Sequence, residues 1–376
     1  MIQRKLTDIL SHRLFQGKAI ILIGARQVGK TTMLKELISN EKQVLWFNAD
    51  ELSVRNIFEN VSVERFRSLF ENNKIVVIDE AQRIENIGLK LKLITDNLPE
   101  VQIIATGSSA FDLSNKVNEP LTGRKWEYEL FPLSFSEMVA HHGLFEEIKH
   151  LPNRLIYGYY PDVVCNPGME KQLLHQLSES YLYKDILEWE RIKKPDKLLK
   201  LLQALAFQIG NQVSFNELSN MLEIDKLTVE KYIILLEQSK VIFRLSSFSR
   251  NLRNELKSSK KIYFYDNGIR NALIANFTDV EMRNDIGALW ENFMISERIK
   301  LLKYNEMWVN KWFWRTTAQQ EVDYIEESDG KMTAFEFKWN PSKKAKVTKV
   351  FTNAYPDTEV KVINRDNFDS FLLLKG

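Results

Sequence analysis

The eight residues from 24 to 31 constrain the fold of this chain more than any other segment. They read Gly-Ala-Arg-Gln-Val-Gly-Lys-Thr, with an apolar run before them and a helical pattern after them. Two glycines let the backbone curl so that successive amides point inward, and the following helix adds the positive end of its dipole. We therefore predict a phosphate-binding loop made of Gly24, Ala25, Arg26, Gln27, Val28, Gly29, Lys30, Thr31 and Thr32.

A second apolar run, Lys74 to Ile78, leads directly into Asp79 and Glu80. Two acids after a strand are weak evidence alone, but downstream of a phosphate-binding loop they indicate a nucleotide site. We expect ATP and Mg²⁺ as its ligands, with Lys30 neutralising the phosphates. Thr31 and Asp79 would hold the metal ion, and Glu80 would act as the general base of hydrolysis.

A third run, Val101 to Ala105, ends in Thr106-Gly107-Ser108-Ser109. Its polar tip is placed to sense the γ-phosphate of a bound nucleotide. The alternative is a strand that simply ends in a turn.

Short runs rich in isoleucine and valine alternate with helical patterns through the first 130 or so residues, as in buried parallel strands. The fold class is therefore α/β. A mainly helical stretch follows, and then three short helices before a β-like segment at Val241 to Leu245, which suits a winged helix. The last part gives a helix at Leu289 to Leu302 and strand-like runs around Met307 to Trp314, Val322 to Ile325 and Thr333 to Phe337.

Composition argues for an ordinary globular protein: 44% of residues are hydrophobic and 27% are charged. The net charge of +2 gives no reason by itself to expect a nucleic-acid partner. The one cysteine, Cys165, fits a reducing compartment. Neither a signal peptide nor a membrane-spanning run is recognisable, so we expect a cytoplasmic protein without a membrane partner.

These motifs resemble the AAA-type ATPase group that occurs widely in bacteria and archaea. The likeness extends to Leu121-Thr122-Gly123-Arg124, to the segment from Leu130 to Glu137, and to Gly158-Tyr159-Tyr160-Pro161, where Tyr159 replaces the second glycine of the family's lid motif. The resemblance implies a helical lid that closes over the base, with Pro161 at the nucleotide. It also implies a homo-oligomer in which an arginine, for which Arg124 is the candidate, completes a neighbour's site; the alternative is a structural salt bridge.

The resemblance continues to the end of the chain. Ile262 to Arg270 and Leu289 to Phe293 look like the domain of unknown function that accompanies this ATPase, which is thought to resemble PD-(D/E)-x-K nucleases. We thus expect four parts: a P-loop ATPase core with a parallel sheet at 1–132, a helical lid at 133–195, an all-α winged helix at 196–255, and an α/β restriction-nuclease-like domain at 256–376.

Four residues of the last part have the chemistry of a metal site. Glu336 and Lys338 project from the same face of one strand, and Asp323 lies on the preceding strand, with Val322 and Tyr324 turned the other way. With Glu291 from the upstream helix, three carboxylates can hold Mg²⁺ while Lys338 positions a water. The alternative is a charged sheet edge.

Two basic stretches favour DNA as a partner because they flank domains of nucleic-acid type. The first contains Arg250, Arg253, Lys257, Lys260 and Lys261, and the second contains Lys343, Lys344, Lys346 and Lys349. Either can also be a solvated face. The sequence predicts an ATP-hydrolysing, DNA-associated protein with a nuclease-like domain. The alternative is an ATP-gated regulator or scaffold that binds DNA or protein and cleaves nothing.

Overall fold

The computed structural model describes residues 2–59, 62–107, 120–179, 194–249, 260–342 and 349–374. The chain divides into two compact units, one comprising residues 1–132 with 238–240 and the other residues 133–237 with 241–376. Each unit is built on its own β-sheet.

The first unit contains a five-stranded parallel sheet, which confirms the predicted α/β class for this part of the chain. Its strands are β1 (Ala19–Gly24), β2 (Val44–Asn48), β3 (Ile75–Asp79), β4 (Gln102–Gly107) and β5 (Lys125–Leu130). Across the sheet they lie in the order β2-β3-β4-β1-β5. The central strands β1, β3 and β4 are buried along their whole length, as their runs of apolar residues require.

The described residues of this unit form five α-helices: α1 (Lys5–Ser11), α2 (Lys30–Leu37), α3 (Leu52–Ile57), α4 (Val63–Phe70) and α5 (Ile87–Asn97). A cluster of phenylalanines fixes α4 in the core, because Phe66 packs on Phe58 and stacks on Phe70 with ring centroids 5.4 Å apart. The parallel arrangement brings the carboxyl ends of β1, β3 and β4 to one edge of the sheet. The residues that follow these strands therefore meet there.

The second unit is mainly helical at its beginning. Its helices are α6 (Phe135–His142), α7 (Leu144–Tyr157), α8 (Pro161–Cys165), α9 (Pro195–Phe207), α10 (Phe215–Leu222), α11 (Lys226–Gln238), α12 (Asn267–Leu273), α13 (Ile286–Tyr304), α14 (Lys349–Ala354) and α15 (Asp369–Leu372). Helix α6 begins with a capping box, in which Ser134 and Glu137 each bond the other's backbone amide. No helix of the described ranges has both the length and the apolar character needed to cross a bilayer.

A seven-stranded mixed sheet organises the rest of this unit. Its strands are β6 (Gln212–Val213), β7 (Ile242–Ser247), β8 (Lys260–Phe264), β9 (Asn310–Arg315), β10 (Glu321–Ser328), β11 (Lys331–Phe337) and β12 (Glu359–Ile363), in the order β12-β11-β10-β9-β7-β8-β6. Strand β7, which we predicted as part of a winged helix, pairs with both β8 and β9. It therefore shares a sheet with the strands of the predicted nuclease-like part.

Helix α13 is the central helix of the second unit and is buried along most of its length. Its buried polar residues bind neighbouring segments: Asn292 bonds both the amide and the carbonyl of Phe264, and Glu297 accepts from the amide of Phe135 at 2.7 Å. Lys300 donates to the carbonyl of Leu133 at 3.0 Å. These contacts fix the orientation of α13, whose residue Glu291 faces the sheet.

Candidate nucleotide site and acidic cluster

The loop between β1 and α2 has the backbone shape that its glycines predict. A side chain at Gly24 would meet the carbonyl oxygen of Leu130 at 2.4 Å, because the ends of β1 and β5 lie side by side. Gly29 directly precedes α2 with a φ of +93°, a conformation that other residues rarely adopt. Both glycines are therefore required by the shape of the loop.

Lys30, the first residue of α2, is buried. Its ammonium group donates to the carbonyl oxygens of Gly24 at 2.8 Å and Ala25 at 3.0 Å. The positive charge thus lies over the concave side of the loop, where the amino end of α2 adds its partial positive charge. Loop and lysine together form a cradle suited to an anion.

Three polar side chains meet beside this loop. The hydroxyl of Thr31 donates to Asp79 Oδ2 at 2.9 Å, and the hydroxyl of Thr106 donates to Asp79 Oδ1. Thr106 comes from β4, so its strand ends in a contact with the acid and not only in a turn. Ser108 and Ser109 lie outside the described residues. The hydroxyl and the carboxylate are oxygen ligands of the kind that Mg²⁺ prefers, and the residues present fit that ion.

Glu80 follows Asp79 in the left-handed conformation, with a φ of +52°. Its amide points back to Asp79 Oδ1 at 3.2 Å, and its carboxylate accepts from the Gln82 side-chain amide at 2.6 Å. The turn therefore directs the side chain away from the strand, and Gln82 orients it. A carboxylate held in this way beside Thr31 and Asp79 is placed to accept a proton from water.

Arg4 is a residue of this site that sequence reasoning missed. It is buried before α1, and its guanidinium donates to the carbonyl of Val28 in the loop and to that of Phe131 after β5, both at 2.7 Å. One side chain therefore links the loop to the segment that follows β5 by hydrogen bonds. A basic residue near the chain start carries no motif, so only the folded chain reveals this contact.

Arg124 lies at the amino ends of the parallel strands, whereas the loop lies at their carboxyl ends. It immediately precedes β5, whose first residue pairs with Ala19 at the start of β1, whereas the loop follows the end of β1. Its half-exposed guanidinium forms an ion pair with Asp96. The sequence left a structural salt bridge as the alternative role of Arg124, and this ion pair is such a salt bridge. Action on a nucleotide in a neighbouring subunit stays a prediction.

The predicted lid motif belongs to the second unit. Pro161 is the first residue of α8. Tyr159 is buried, its ring stacks on Phe293, and its hydroxyl donates to the carboxylate of Glu147. At the position of the family's second glycine, this chain therefore has a core side chain. Gly158, by contrast, leaves no room for a side chain, because Asp266 lies 2.1 Å from where a Cβ would stand.

An acidic cluster forms in the second unit where α13 faces the sheet. Ligand atoms of Glu291, Glu321 and Asp323 all lie within 4.8 Å of one another. The predicted metal ligands were Glu291, Asp323 and Glu336, so the geometry adds Glu321 and does not group Glu336 with the three. The register between β9 and β10 shifts between Val322 and Ile325, which is the irregularity that a β-bulge produces. Asp323 lies within this irregular segment, and its carboxylate meets Glu291 of α13.

Lys261 lies inside this cluster. Its ammonium is fully buried and contacts Glu291 at 3.0 Å and also Glu321. Burial works against its charge, but the carboxylates outweigh that effect and raise the pKa of Lys261. The sequence places Lys261 in a basic stretch that favours DNA as a partner, with a solvated face as the alternative. For this residue both interpretations are wrong, because its position on β8 turns the side chain into the interior.

Glu336 on β11 and Lys338, the residue that follows β11, lie beside the cluster. Lys338 Nζ is 2.9 Å from Glu336 Oε2 and 3.8 Å from Asp323 Oδ2. Burial opposes the charge of Lys338, but the two acids outweigh it and raise its pKa. The lysine thus lies between Glu336 and Asp323 of the cluster.

Burial raises the pKa of Glu291 to about 7, and the charge of Asp323 adds to the effect. Burial also raises the pKa of Glu336 to about 7, again with Asp323 contributing. The pKa of Asp323 is raised for the same reason. Carboxylates with raised pKa values gathered around one point are a feature of functional sites.

The predicted DNA-binding stretches are mostly beyond the part of the chain that the structure describes. Arg250, Arg253, Lys257, Lys343, Lys344 and Lys346 lie outside the described residues. Lys260 is half-buried at the start of β8, and Lys349 is exposed at the start of α14.

Comparison with protein-family models divides the chain into three parts. Residues 16–139 match an AAA domain, residues 148–280 match a domain of unknown function (DUF8612), and residues 286–371 match another domain of unknown function (DUF4143). The nucleotide loop, Asp79, Glu80 and Arg124 fall within the first match. The acidic residues Glu291, Glu321, Asp323 and Glu336 fall within the third.

The relatives are archaeal and bacterial. An uncharacterized protein of Methanocaldococcus jannaschii is 27% identical over 68% of this chain, and the match spans 62% of that protein's length. An uncharacterized protein of Mycobacterium tuberculosis is 24% identical, covering 88% of this chain and 72% of that protein.

Among solved structures, a Walker-type ATPase of Pyrococcus abyssi has a similar fold. The TM-score is 0.53 at 16% sequence identity, and the match covers 73% of this chain and 96% of that one. The chain carries an AAA domain with the fold of a P-loop ATPase, followed by two domains that match families of unknown function.

Proposed function

We propose that this protein binds ATP with Mg²⁺ at the loop of residues 24–32 and hydrolyses it. The observation that carries the proposal is the meeting of Thr31, Asp79 and Thr106 next to the ammonium of Lys30. A hydroxyl and a carboxylate at the end of an anion cradle are what a metal-bound triphosphate requires. The match to an AAA domain supports the same activity.

Each residue of the site has a distinct task in this proposal. The amides of the loop and Lys30 bind the phosphates, and Lys30 balances charge that develops on them in the transition state. Mg²⁺ held by Thr31 and Asp79 would supply the remaining charge neutralisation. Glu80, oriented by Gln82, accepts the proton of the attacking water. Arg4 keeps the carbonyl of Val28 turned away from the phosphates by bonding it.

A homo-oligomer belongs to the same proposal. Arg124 lies at the amino ends of the strands, away from its own loop at their carboxyl ends. It can therefore complete an ATP site only in a neighbouring subunit. Its partner Asp96 is partly exposed, and an exposed ion pair is weak enough to be exchanged for a phosphate contact.

A second activity is favoured by the acidic cluster. We propose that the second unit binds DNA and that Glu291, Glu321 and Asp323 hold a divalent cation there, with Glu336 and Lys338 at its side. The cation would polarise a phosphodiester, and Lys338 would position the attacking water. The donor set fits Mg²⁺ or Mn²⁺ because all ligands are carboxylates. Lys261 competes with the cation for Glu291 and Glu321, so binding must displace or tolerate that ammonium.

The competing function is that of an ATP-gated regulator that binds DNA or protein without cutting. ATP turnover and DNA integrity should be measured in one reaction, with and without DNA and with Mg²⁺ or Mn²⁺. We expect Glu80→Gln to bind ATP but to lose about 10²-fold in turnover, whereas the exposed Glu85→Gln turns over normally. Normal turnover by Glu80→Gln would place the base elsewhere.

The same reaction tests the second unit. Asp323→Ala and Glu336→Ala should stop nicking of supercoiled DNA, Lys338→Ala should retain cation binding but lose cleavage, and the exposed Glu359→Ala should behave as wild type. All four should bind ATP. A wild-type protein that never nicks DNA, and whose DNA affinity these variants change, would identify the regulator instead.

A further inference from the structure

A cavity of about 350 Å³ opens at the end of β10 that is farther from the acidic cluster. Aromatic side chains from three separate segments line it: Phe248 after β7, Trp312 on β9 and Tyr355 after α14. The Phe248 ring lies 5.1 Å from Trp312 and 5.3 Å from Tyr355, measured between centroids, and each pair is steeply inclined. Inclined rings expose their faces and edges in different directions, so the wall of the cavity is rich in π surface.

Two carboxylates complete the wall. Glu327 lies near the end of β10, and Asp357 lies in the turn after α14. Within the residues that the structure describes, neither of them forms an ion pair. The adjacent Glu326 differs: it is buried on the other side of the strand and forms a bidentate pair with Arg298. Alternation along β10 therefore directs one glutamate to an internal arginine and the next one into the cavity.

Aromatic faces and carboxylates together recognise an organic cation. The negative π faces attract the charge, and the carboxylates accept its hydrogen bonds. The same molecule contains an internal example, because the guanidinium of Arg298 lies 4.8 Å from the centroid of Phe371 while its Nε and Nη2 donate to the carboxylate of Glu326. Its Nη1 donates to the backbone carbonyl of Phe371. Arginine suits such a place better than lysine, since its planar group stacks on a ring and bonds a carboxylate with two donors.

The surroundings indicate that the cation belongs to another polypeptide. Trp308, just before β9, is 92% exposed, and its carbonyl accepts from the Ser328 hydroxyl at the same end of the sheet as the cavity. Tryptophan is enriched at protein interfaces, and a tryptophan this exposed is unusual on a surface that contacts only water. We propose that the cavity binds an arginine side chain of a partner protein, with Trp308 contacting the adjacent residues of that partner.

This site is separate from both functions proposed above. Glu327 and Glu321 are at opposite ends of β10, a separation of about 20 Å at the usual rise of a strand. The ATP loop belongs to the other unit. If the proposals of ATP hydrolysis or of a cation site in the acidic cluster were disproved, the proposal of an arginine-binding cavity would be unaffected. Likewise, disproof of the arginine-binding cavity would leave those two proposals unaffected.

The test uses the full-length protein and a short fluorescein-labelled glycine-serine peptide with one central arginine. The matched peptide has citrulline, which keeps the shape and loses the charge. Fluorescence anisotropy should give a Kd at least about 10-fold lower for the arginine peptide. Glu327→Gln and Asp357→Asn should each remove most of that difference. Asp329→Asn is the control, because it removes a carboxylate from the turn of the same hairpin without lining the cavity.

Aromatic contributions are tested by a graded pair at one position. Tyr355→Phe keeps the ring and should bind as wild type, whereas Tyr355→Leu should lose about 5-fold or more in affinity. Thermal melting of each variant identifies any that fail to fold. If Tyr355→Leu does not fold, the peptide affinity of Tyr355→Phe is used to assess the aromatic ring.

Three results would overturn the proposal. Equal binding of the arginine and citrulline peptides would show that charge is not recognised. Binding by Arg250→Ala but not by wild type would mean that the chain's own arginine is the occupant. Displacement of the peptide by spermidine at less than a tenth of the concentration needed with N-acetyl-arginine amide would identify a free polyamine as the ligand.

Discussion

The hydroxyl of Thr31 donates to Asp79 Oδ2 at 2.9 Å, which joins the first turn of α2 to the end of β3. The two residues are far apart in sequence, and the parallel sheet brings them together because β4 alone separates β1 from β3. Thr106, from β4, supports the carboxylate from its other oxygen. The fold itself therefore brings a hydroxyl and a carboxylate together beside the loop between β1 and α2.

Thr31→Val should lower the affinity for MgATP by about 10-fold or more, because the hydroxyl is lost as a ligand and Asp79 loses its donor. Without Mg²⁺ the variant and wild type should bind ATP alike. Thr95→Val is the matched control, since the Thr95 hydroxyl donates to the carbonyl of Leu91 within α5. Equal loss of affinity with and without Mg²⁺, measured by calorimetry, would mean that Thr31 has no role in holding the metal ion.

Arg4→Met should weaken ATP binding and lower the free energy of unfolding by about 2 kcal/mol. The substitution leaves the buried carbonyls of Val28 and Phe131 without their charged donor. Arg67→Met, which removes an exposed arginine, should change neither quantity. Denaturant unfolding and nucleotide titration measure both effects. Unchanged ATP affinity in a destabilised Arg4→Met would limit the role of Arg4 to folding.

Arg124→Ala should bind ATP normally and hydrolyse it poorly if the arginine acts on a neighbouring subunit. Mixing this variant with Lys30→Ala should restore part of the activity, because some interfaces then combine an intact loop with an intact arginine. The measurement is ATPase rate against mixing ratio. A normal rate in Arg124→Ala alone, with lower melting temperature, would assign Arg124 to its salt bridge with Asp96.

Lys261→Met should destabilise the metal-free protein by about 3 kcal/mol, because Glu291 and Glu321 lose their buried counter-charge. Mn²⁺ should restore more stability to this variant than to wild type, since the cation no longer competes with the ammonium. Lys260→Met, the neighbour on β8, is the control. Thermal unfolding in EDTA and in Mn²⁺ provides the comparison. A variant that responds to Mn²⁺ no more than wild type would argue against a cation site.

Glu336→Gln should gain stability relative to wild type as pH rises. Burial raises the folded-state pKa of Glu336 to about 7, above its ordinary value of 4.5. The folded protein therefore holds this proton more tightly than the unfolded chain, and the resulting stability is complete below about pH 4.5 and lost as pH rises through about 7. Glutamine is neutral throughout. Melting in EDTA at pH 5 and pH 8 should show the variant gaining on wild type, and a constant difference would contradict the raised pKa.

The local motifs were predictable from the sequence because they depend on neighbours in the chain. The glycines around Lys30 need only a strand before them and a helix after them, and both are visible in the pattern of apolar residues. The hairpin of β10 and β11 was visible for the same reason, and its turn lies at Asp329 and Gly330, both with positive φ.

Contacts between distant segments were not predictable in this way. We expected Val322 and Tyr324 to face the same side, but Val322 joins an apolar cluster with Phe351 whereas Tyr324 contacts Phe371, because the strand shifts register between them. Lys261 reads as one more base in a charged stretch until β8 buries it. No local pattern records a register shift or the burial of a single lysine.

The most direct test of ATP hydrolysis at this loop compares wild type with Lys30→Ala in nucleotide binding and Mg²⁺-dependent turnover. Lys30 supplies the positive charge over the loop, bonded to the carbonyls of Gly24 and Ala25. Wild type should bind a fluorescent ATP analogue and release phosphate, and folded Lys30→Ala should do neither. Wild-type affinity and turnover in Lys30→Ala would contradict the assignment of this loop as the ATP site.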